Sequence, residues 1–139
     1  MEYKFIYDNK DYVLSEENCD GIFYESEEEN DDVKDVSLDM ILTALSQGEN
    51  INFTKEYYCD KCLCDNQEQL NKSYCYLEYH FYIYTKEKHY IINTICEEYK
   101  DTSYNKLFRA GKIDDSYIVS IIVCPHCSTY SVEIEQCTV

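Results

Sequence analysis

Hydrophobic and polar residues alternate with a period of two from Tyr74 to Tyr84. This places Cys75, Leu77, Tyr79, Phe81 and Ile83 on one face of a strand and Tyr74, Tyr76, Glu78, His80, Tyr82 and Tyr84 on the other. Lys86-Glu87-Lys88 turns the chain into a partner strand, His89 to Ile95, predicting a long hairpin. Two further hairpins follow the same logic. Tyr3 to Tyr7 and Asp11 to Leu14 flank Asp8-Asn9-Lys10, turn residues that tolerate positive φ, while Asp114-Asp115 opens a last pair, Tyr117 to Val123 and Thr129 to Glu135. Ile51 to Tyr58 is also strand-like. The clearest helix has Leu38, Ile41, Leu42 and Leu45 at i, i+3, i+4 and i+7, with Ser37 as its cap and Gly48 as a left-handed stop. A shorter one near Ser103 to Ala110 carries Tyr104, Leu107 and Phe108 on one side and ends at Gly111.

These elements predict one α+β domain over residues 1–139, built from antiparallel β-hairpins with one or two covering helices. A chain of 139 residues suits one core and no more, and its hydrophobic fraction of 45% is that of a folded protein. Charge narrows the choice of partner. Twelve Lys and Arg against 28 Asp and Glu leave a formal charge of -16, which repels a phosphate backbone and disfavours nucleic-acid binding. Glu25 to Asp32, ESEEENDD, is a run of like charge expected to be a solvated loop, and it lacks the spaced ligands of a calcium-binding EF-hand. The start of the chain has no basic segment followed by a long apolar run, and no stretch approaches membrane-spanning length. A soluble cytoplasmic protein is the expectation.

Nine cysteines are the compositional outlier. In a reducing compartment a disulfide frame is disfavoured, and an odd total leaves one thiol over. Four of them form two CxxC pairs, Cys59-Asp60-Lys61-Cys62 and Cys124-Pro125-His126-Cys127, each directly after a predicted strand. Two intervening residues let the backbone curl so that both sulfurs of a pair face one ion, and two such turns complete a tetrahedron around Zn²⁺. Four thiolates leave no position for water, so the site would be structural, with a binding free energy of about 10 kcal/mol coupled to folding.

With these pairs and their flanking strands, about 51–76 and 116–136, the chain resembles the zinc-ribbon group, in which paired knuckles sit at the tips of β-hairpins. It departs in spacing: 61 residues separate Cys62 from Cys124, where the compact pattern has about 15 to 20. The long hairpin and second helix are therefore expected as an insertion between two arms. Ribbons often act in transcription, translation or RNA handling, a role that the acidity argues against here. The chain is also similar to small acidic bacterial proteins without known function.

Other chemistries compete for the same residues. Cys124-Pro125-His126-Cys127 resembles the active site of DsbA-like thiol oxidants. In a thioredoxin fold that pair opens a helix, whereas Ser131, Glu133 and Glu135 alternate here with Val132 and Ile134 as in a strand. Four thiolates would equally hold an iron–sulfur centre, though zinc is the commoner occupant of paired knuckles. Cys64 and Cys137 are alternative ligands, while Cys19, Cys75 and Cys96 read as small buried hydrophobes. His126 lies within the second knuckle, and His80 and His89, on facing strands of one hairpin, could pair, but exposed or core-edge positions are the more ordinary outcome for them. No Ser-His-Asp set, glycine-rich phosphate loop or HExxH element is present, and 28 acidic residues offer paired carboxylates at any spacing by chance.

The tyrosine-rich face of Tyr74 to Tyr84 lacks the interleaved cations of a base-stacking surface and suits packing against a helix or a protein partner. Together these features predict a non-enzymatic acidic binding or adaptor protein. It would carry structural Zn²⁺ on Cys59, Cys62, Cys124 and Cys127, and would recognise a protein with a basic surface or mimic nucleic acid by charge. Thiol–disulfide exchange at Cys124 and Cys127 is the rival.

Overall fold

A computed structural model describes residues 1–25, 33–48, 51–58, 74–125 and 128–137. Two sheets form. Strands β1 (Tyr3–Tyr7) and β2 (Lys10–Leu14) make an N-terminal hairpin, closed by Asp8 and Asn9 at φ 49° and 62°, the two left-handed residues that a tight hairpin turn requires. The second sheet contains β3 (Cys19–Glu25), β4 (Thr54–Tyr58), β5 (Tyr74–Lys86), β6 (His89–Asn93), β7 (Asp115–Val123) and β8 (Tyr130–Cys137). Its order is β3-β8-β7-β5-β4, and β6 pairs with the far end of β5 through a turn at Glu87 and Lys88, both at positive φ.

All of these pairings are antiparallel except β3 with β8. The predicted hairpins are present, but β3 and its parallel pairing are additions to the hairpins-only expectation. Ile22 and Tyr24 of β3 pack against the core while Phe23 points out, and the register slips between Cys19 and Ile22. That slip breaks the alternation that would mark a strand. Of the acidic stretch Glu25 to Asp32, Glu25 closes β3 opposite Glu135 and the rest lies outside the described residues. Strand β4 is also shorter than the predicted Ile51 to Tyr58, because Phe53 turns into the core ahead of it.

One face of the large sheet is covered by helix α1 (Leu38–Gln47) and the N-terminal hairpin. Ile41, Leu42 and Leu45 meet Leu77, Phe81 and Ile83 of β5, Val119 and Ile121 of β7, and Val132 and Ile134 of β8 in one buried cluster. Phe5 carries the hairpin onto this core, its ring stacked on Phe53 at 4.1 Å and on Tyr12 at 5.0 Å. Such stacked pairs add about 0.5–1.5 kcal/mol beyond burial. The opposite face is covered at one end by helix α2 (Tyr104–Arg109) and a single 3-10 turn, Glu97–Tyr99. There Tyr84 meets Tyr104 edge-on at 5.1 Å and shares a 3.1 Å hydrogen bond with the Tyr99 hydroxyl. The tyrosine face thus packs against a helix at this end, as its composition suggests.

Both helix starts follow the sequence: Ser37 accepts from the Met40 amide and Ser103 from the Lys106 amide. Gly111 ends α2 with φ 73°. Gly48 does not supply a left-handed stop to α1, since it sits at φ -74° in extended conformation. Its glycine serves close approach instead. A Cβ there would strike the Ile95 side chain and come within 2.6 Å of Ile51 Cδ1. Gly48→Ala should therefore cost about 1–3 kcal/mol by overpacking, and Ile95→Ala in the same chain should recover part of it. Thermal melts of the two variants check this, and a Gly48→Ala protein as stable as the parent would show that the contact yields freely.

Candidate metal centre

Of the predicted ligands, Cys124 is described, whereas Cys59, Cys62 and Cys127 lie outside the described residues, as do Cys64 and His126. What is described is the framework from which both cysteine pairs depart. Strand β4 runs antiparallel to β5 with Tyr58 opposite Tyr74, and β7 runs antiparallel to the other edge of β5 with Val123 opposite Leu77. Both strands therefore end at the start of β5, on either side of it. The two ends are two strand spacings apart sideways, about 9.5 Å, and are staggered by three residues, about 10 Å, along β5. The first cysteine pair belongs to the β4–β5 connection and the second to the β7–β8 connection, which start at the same end of the sheet. The long intervening stretch is consequently no appendage between two arms, because its first strand, β5, is the one both arms pair with.

Cys124 is fully buried directly after β7. Its amide donates to the Thr129 carbonyl at 2.9 Å, and the Ser128 amide donates back to the Cys124 carbonyl at 2.9 Å. Ser128 adopts φ 62°, the left-handed geometry that folds the chain back into β8. The turn is also held from the N-terminal part of the chain. Lys10 Nζ donates to the Pro125 carbonyl, and Asn18 Nδ2 donates to the Ser128 carbonyl at 2.7 Å. Neither Lys10 nor Asn18 carries a signal in the sequence, since their partners are more than a hundred residues away and a single amide or ammonium on a loop has no periodicity to read.

The other cysteines separate by position. Cys137 is not placed to replace a knuckle ligand. It pairs with Ser116 at the far end of β8, its Sγ 3.2 Å from Ser116 Oγ, and about 24 Å of strand separates it from Tyr130. Cys19 and Cys96 are half-buried and unbridged, and Cys75 lies in β5 opposite Tyr57. Among the described residues, no group of three or more His, Cys, Asp or Glu side chains converges as a metal site. The two strand histidines do not pair with each other: His80 Nδ1 lies 2.7 Å from Ser120 Oγ on β7, and His89 Nδ1 lies 3.0 Å from the Asp35 carboxylate. The register explains this, since His89 faces Lys86 across the hairpin.

The pattern of the family described as protein of unknown function (DUF3785) matches residues 3–139. The chain belongs to that family. No curated protein and no solved structure matches it. Among its described residues, no helix of this DUF3785 chain is long and apolar enough to cross a membrane.

Tyrosines bind the DUF3785 fold together near the candidate centre and opposite it. The buried Tyr130 hydroxyl donates to the Ser15 carbonyl at 2.8 Å, tying β8 to the loop after the N-terminal hairpin. Burial pushes its phenol well above the ordinary range, and Cys19 adds to the shift. Burial and the Tyr99 hydrogen bond do the same for Tyr84. A phenol that resists ionisation in the folded state contributes stability that is intact below the unfolded value near 10 and is lost as pH rises toward the raised folded value. Unfolding in alkali should begin once pH exceeds about 10, with part of the tyrosinate absorbance at 295 nm appearing together with loss of near-ultraviolet circular dichroism. Titration of all 16 tyrosines in a chain that keeps its near-ultraviolet spectrum would contradict this.

Proposed function

We propose that this chain is a non-enzymatic, acidic binding or adaptor protein of zinc-ribbon-like construction, closed by a structural Zn²⁺ on Cys59, Cys62, Cys124 and Cys127. The observation that carries the reading is the register of β5, whose two neighbours run toward the same end of it and stop there three residues apart, β4 opposite Tyr74 and β7 opposite Leu77, each followed by a CxxC connection. The donor set fits the ion: four soft thiolates match tetrahedral zinc and fill its coordination. Burial of Cys124 fits a closed site, since a ligand sulfur shielded from water holds its metal without exchanging it. Thiol–disulfide exchange requires an accessible attacking or attacked sulfur. Cys124 is not accessible, and the chain beyond Ser128 enters strand β8 instead of a helix.

The formal charge of -16 sets the partner's chemistry. A Lys- or Arg-rich protein surface would be drawn to this chain by long-range attraction that salt screens within about 8–10 Å.

Purified chain should contain close to one zinc per molecule. Because such a site contributes about 10 kcal/mol, comparable to the whole stability of a small domain, Cys59→Ser or Cys127→Ser should unfold the protein or lower its melting temperature greatly. Unchanged melting and metal content in both variants would refute the ligand assignment. Insulin reduction by metal-free folded chain that disappears with Cys124→Ser would instead establish the redox reading.

A further inference from the structure

The turn after β7 is held by two residues that belong neither to its hairpin nor to the cysteine set. The orientation of the Asn18 amide is fixed on its oxygen side, where Oδ1 accepts from the Ser15 amide at 2.9 Å and from Ser15 Oγ at 3.1 Å. Both protons of Nδ2 are then directed at carbonyls, those of Val13 and Ser128, each at 2.7 Å. Ser128 is the residue whose own amide returns to the Cys124 carbonyl. Asn18 therefore grips the closing residue of the turn and fixes it to the end of β2. Lys10 grips the opposite limb. Its ammonium lies 5.0 Å from the centre of the Tyr12 ring and donates to the Pro125 carbonyl, one residue after Cys124.

Hairpin tips are where a sheet opens first, because they have few buried contacts and solvated backbone bonds. Here the tip is stapled to a second sheet by directional bonds on both limbs. Charge adds a reason for one of them: a Zn²⁺ ion with four thiolates carries a net double negative charge, in a chain already strongly acidic. A lysine ammonium on the carbonyl between the two cysteines of a pair offsets that charge locally.

We propose that Lys10 and Asn18 are positioning residues for the Cys124 arm of the metal centre, fixing the turn in the shape that retains the ion. This rests on the metal reading given above. The N-terminal hairpin then governs how fast metal leaves, although it supplies no ligand. Groups that support metal ligands from outside typically change affinity by about 10- to 100-fold when removed.

The test uses the full zinc-loaded chain, challenged with excess EDTA at a temperature well below melting and followed with a chromogenic zinc indicator. Asn18→Asp keeps the acceptor oxygen for Ser15 and removes the amide donor, whereas Lys10→Met removes the charge and keeps the stem. Both should release zinc about 10- to 100-fold faster than the parent with an unchanged far-ultraviolet spectrum, and Lys10→Arg should release it at the parental rate. Parental release from Lys10→Met, or a lowered melting temperature without faster release, overturns the proposal, and Lys10→Met decides alone if Asn18→Asp fails to fold. A parent chain that carries no zinc defeats the metal reading separately. The positioning role is then read from iodoacetamide labelling of Cys124: acceleration in Lys10→Met sustains it and an unchanged rate overturns it.

Discussion

Backbone pairing on both sides of β5 is the constraint from which the remaining architecture follows. This strand of 13 residues is bonded to β7 from Leu77 to Thr85, to β4 at its start and to β6 at its end. Because each neighbour is antiparallel to it, β4 and β7 run the same way and finish near the same end, opposite Tyr74 and Leu77. The alternation of β5 then commits Leu77, Phe81 and Ile83 to one layer and Tyr76, Glu78 and Tyr84 to the other. A slip of one residue would exchange the two sets and place a carboxylate in the apolar layer, so the register is strongly specified.

One face of the sheet is covered along its length and the other at one end only. The deeper layer is aliphatic and is closed by α1 and the aromatic stack of Phe5, Tyr12 and Phe53. The shallower layer is aromatic, with Tyr84, Tyr99 and Tyr104 meeting ring to ring. Tyrosine suits that position because its body replaces aliphatic packing while its hydroxyl finds a partner at the rim. Three of the 16 tyrosines are thereby given a structural use.

Legibility in the sequence tracked distance along the chain. The turns at Asp8-Asn9 and Glu87-Lys88, the cap Ser37, the short helix that starts near Ser103 and the strands that alternate over many residues are local events, and each is present where its residues predict it. Strand β3 was not legible, because its register slip masks the period and its partner is the last strand of the chain. Gly48 was misread for a related reason: a glycine after a helix suggests a left-handed cap, but here the space was already claimed by Ile51 and Ile95. Of the candidate centre, the two CxxC pairs and the strands that lead into them are legible in the sequence. The Lys10 and Asn18 contacts are not, since only the assembled fold brings a loop from the beginning of the chain against a turn near its end.

The parallel union of β3 with β8 carries a consequence for biosynthesis. The early strand has no backbone partner within the sheet until Tyr130 to Glu135 have been made, and loop closure over so long a separation is slow. During translation β3 must wait for its strand partner until β8 has been made, so this sheet cannot be completed piecemeal. Completion of the sheet is tied to residues made long after β3, and a product truncated before β8 would leave both β3 and β7 with an open edge.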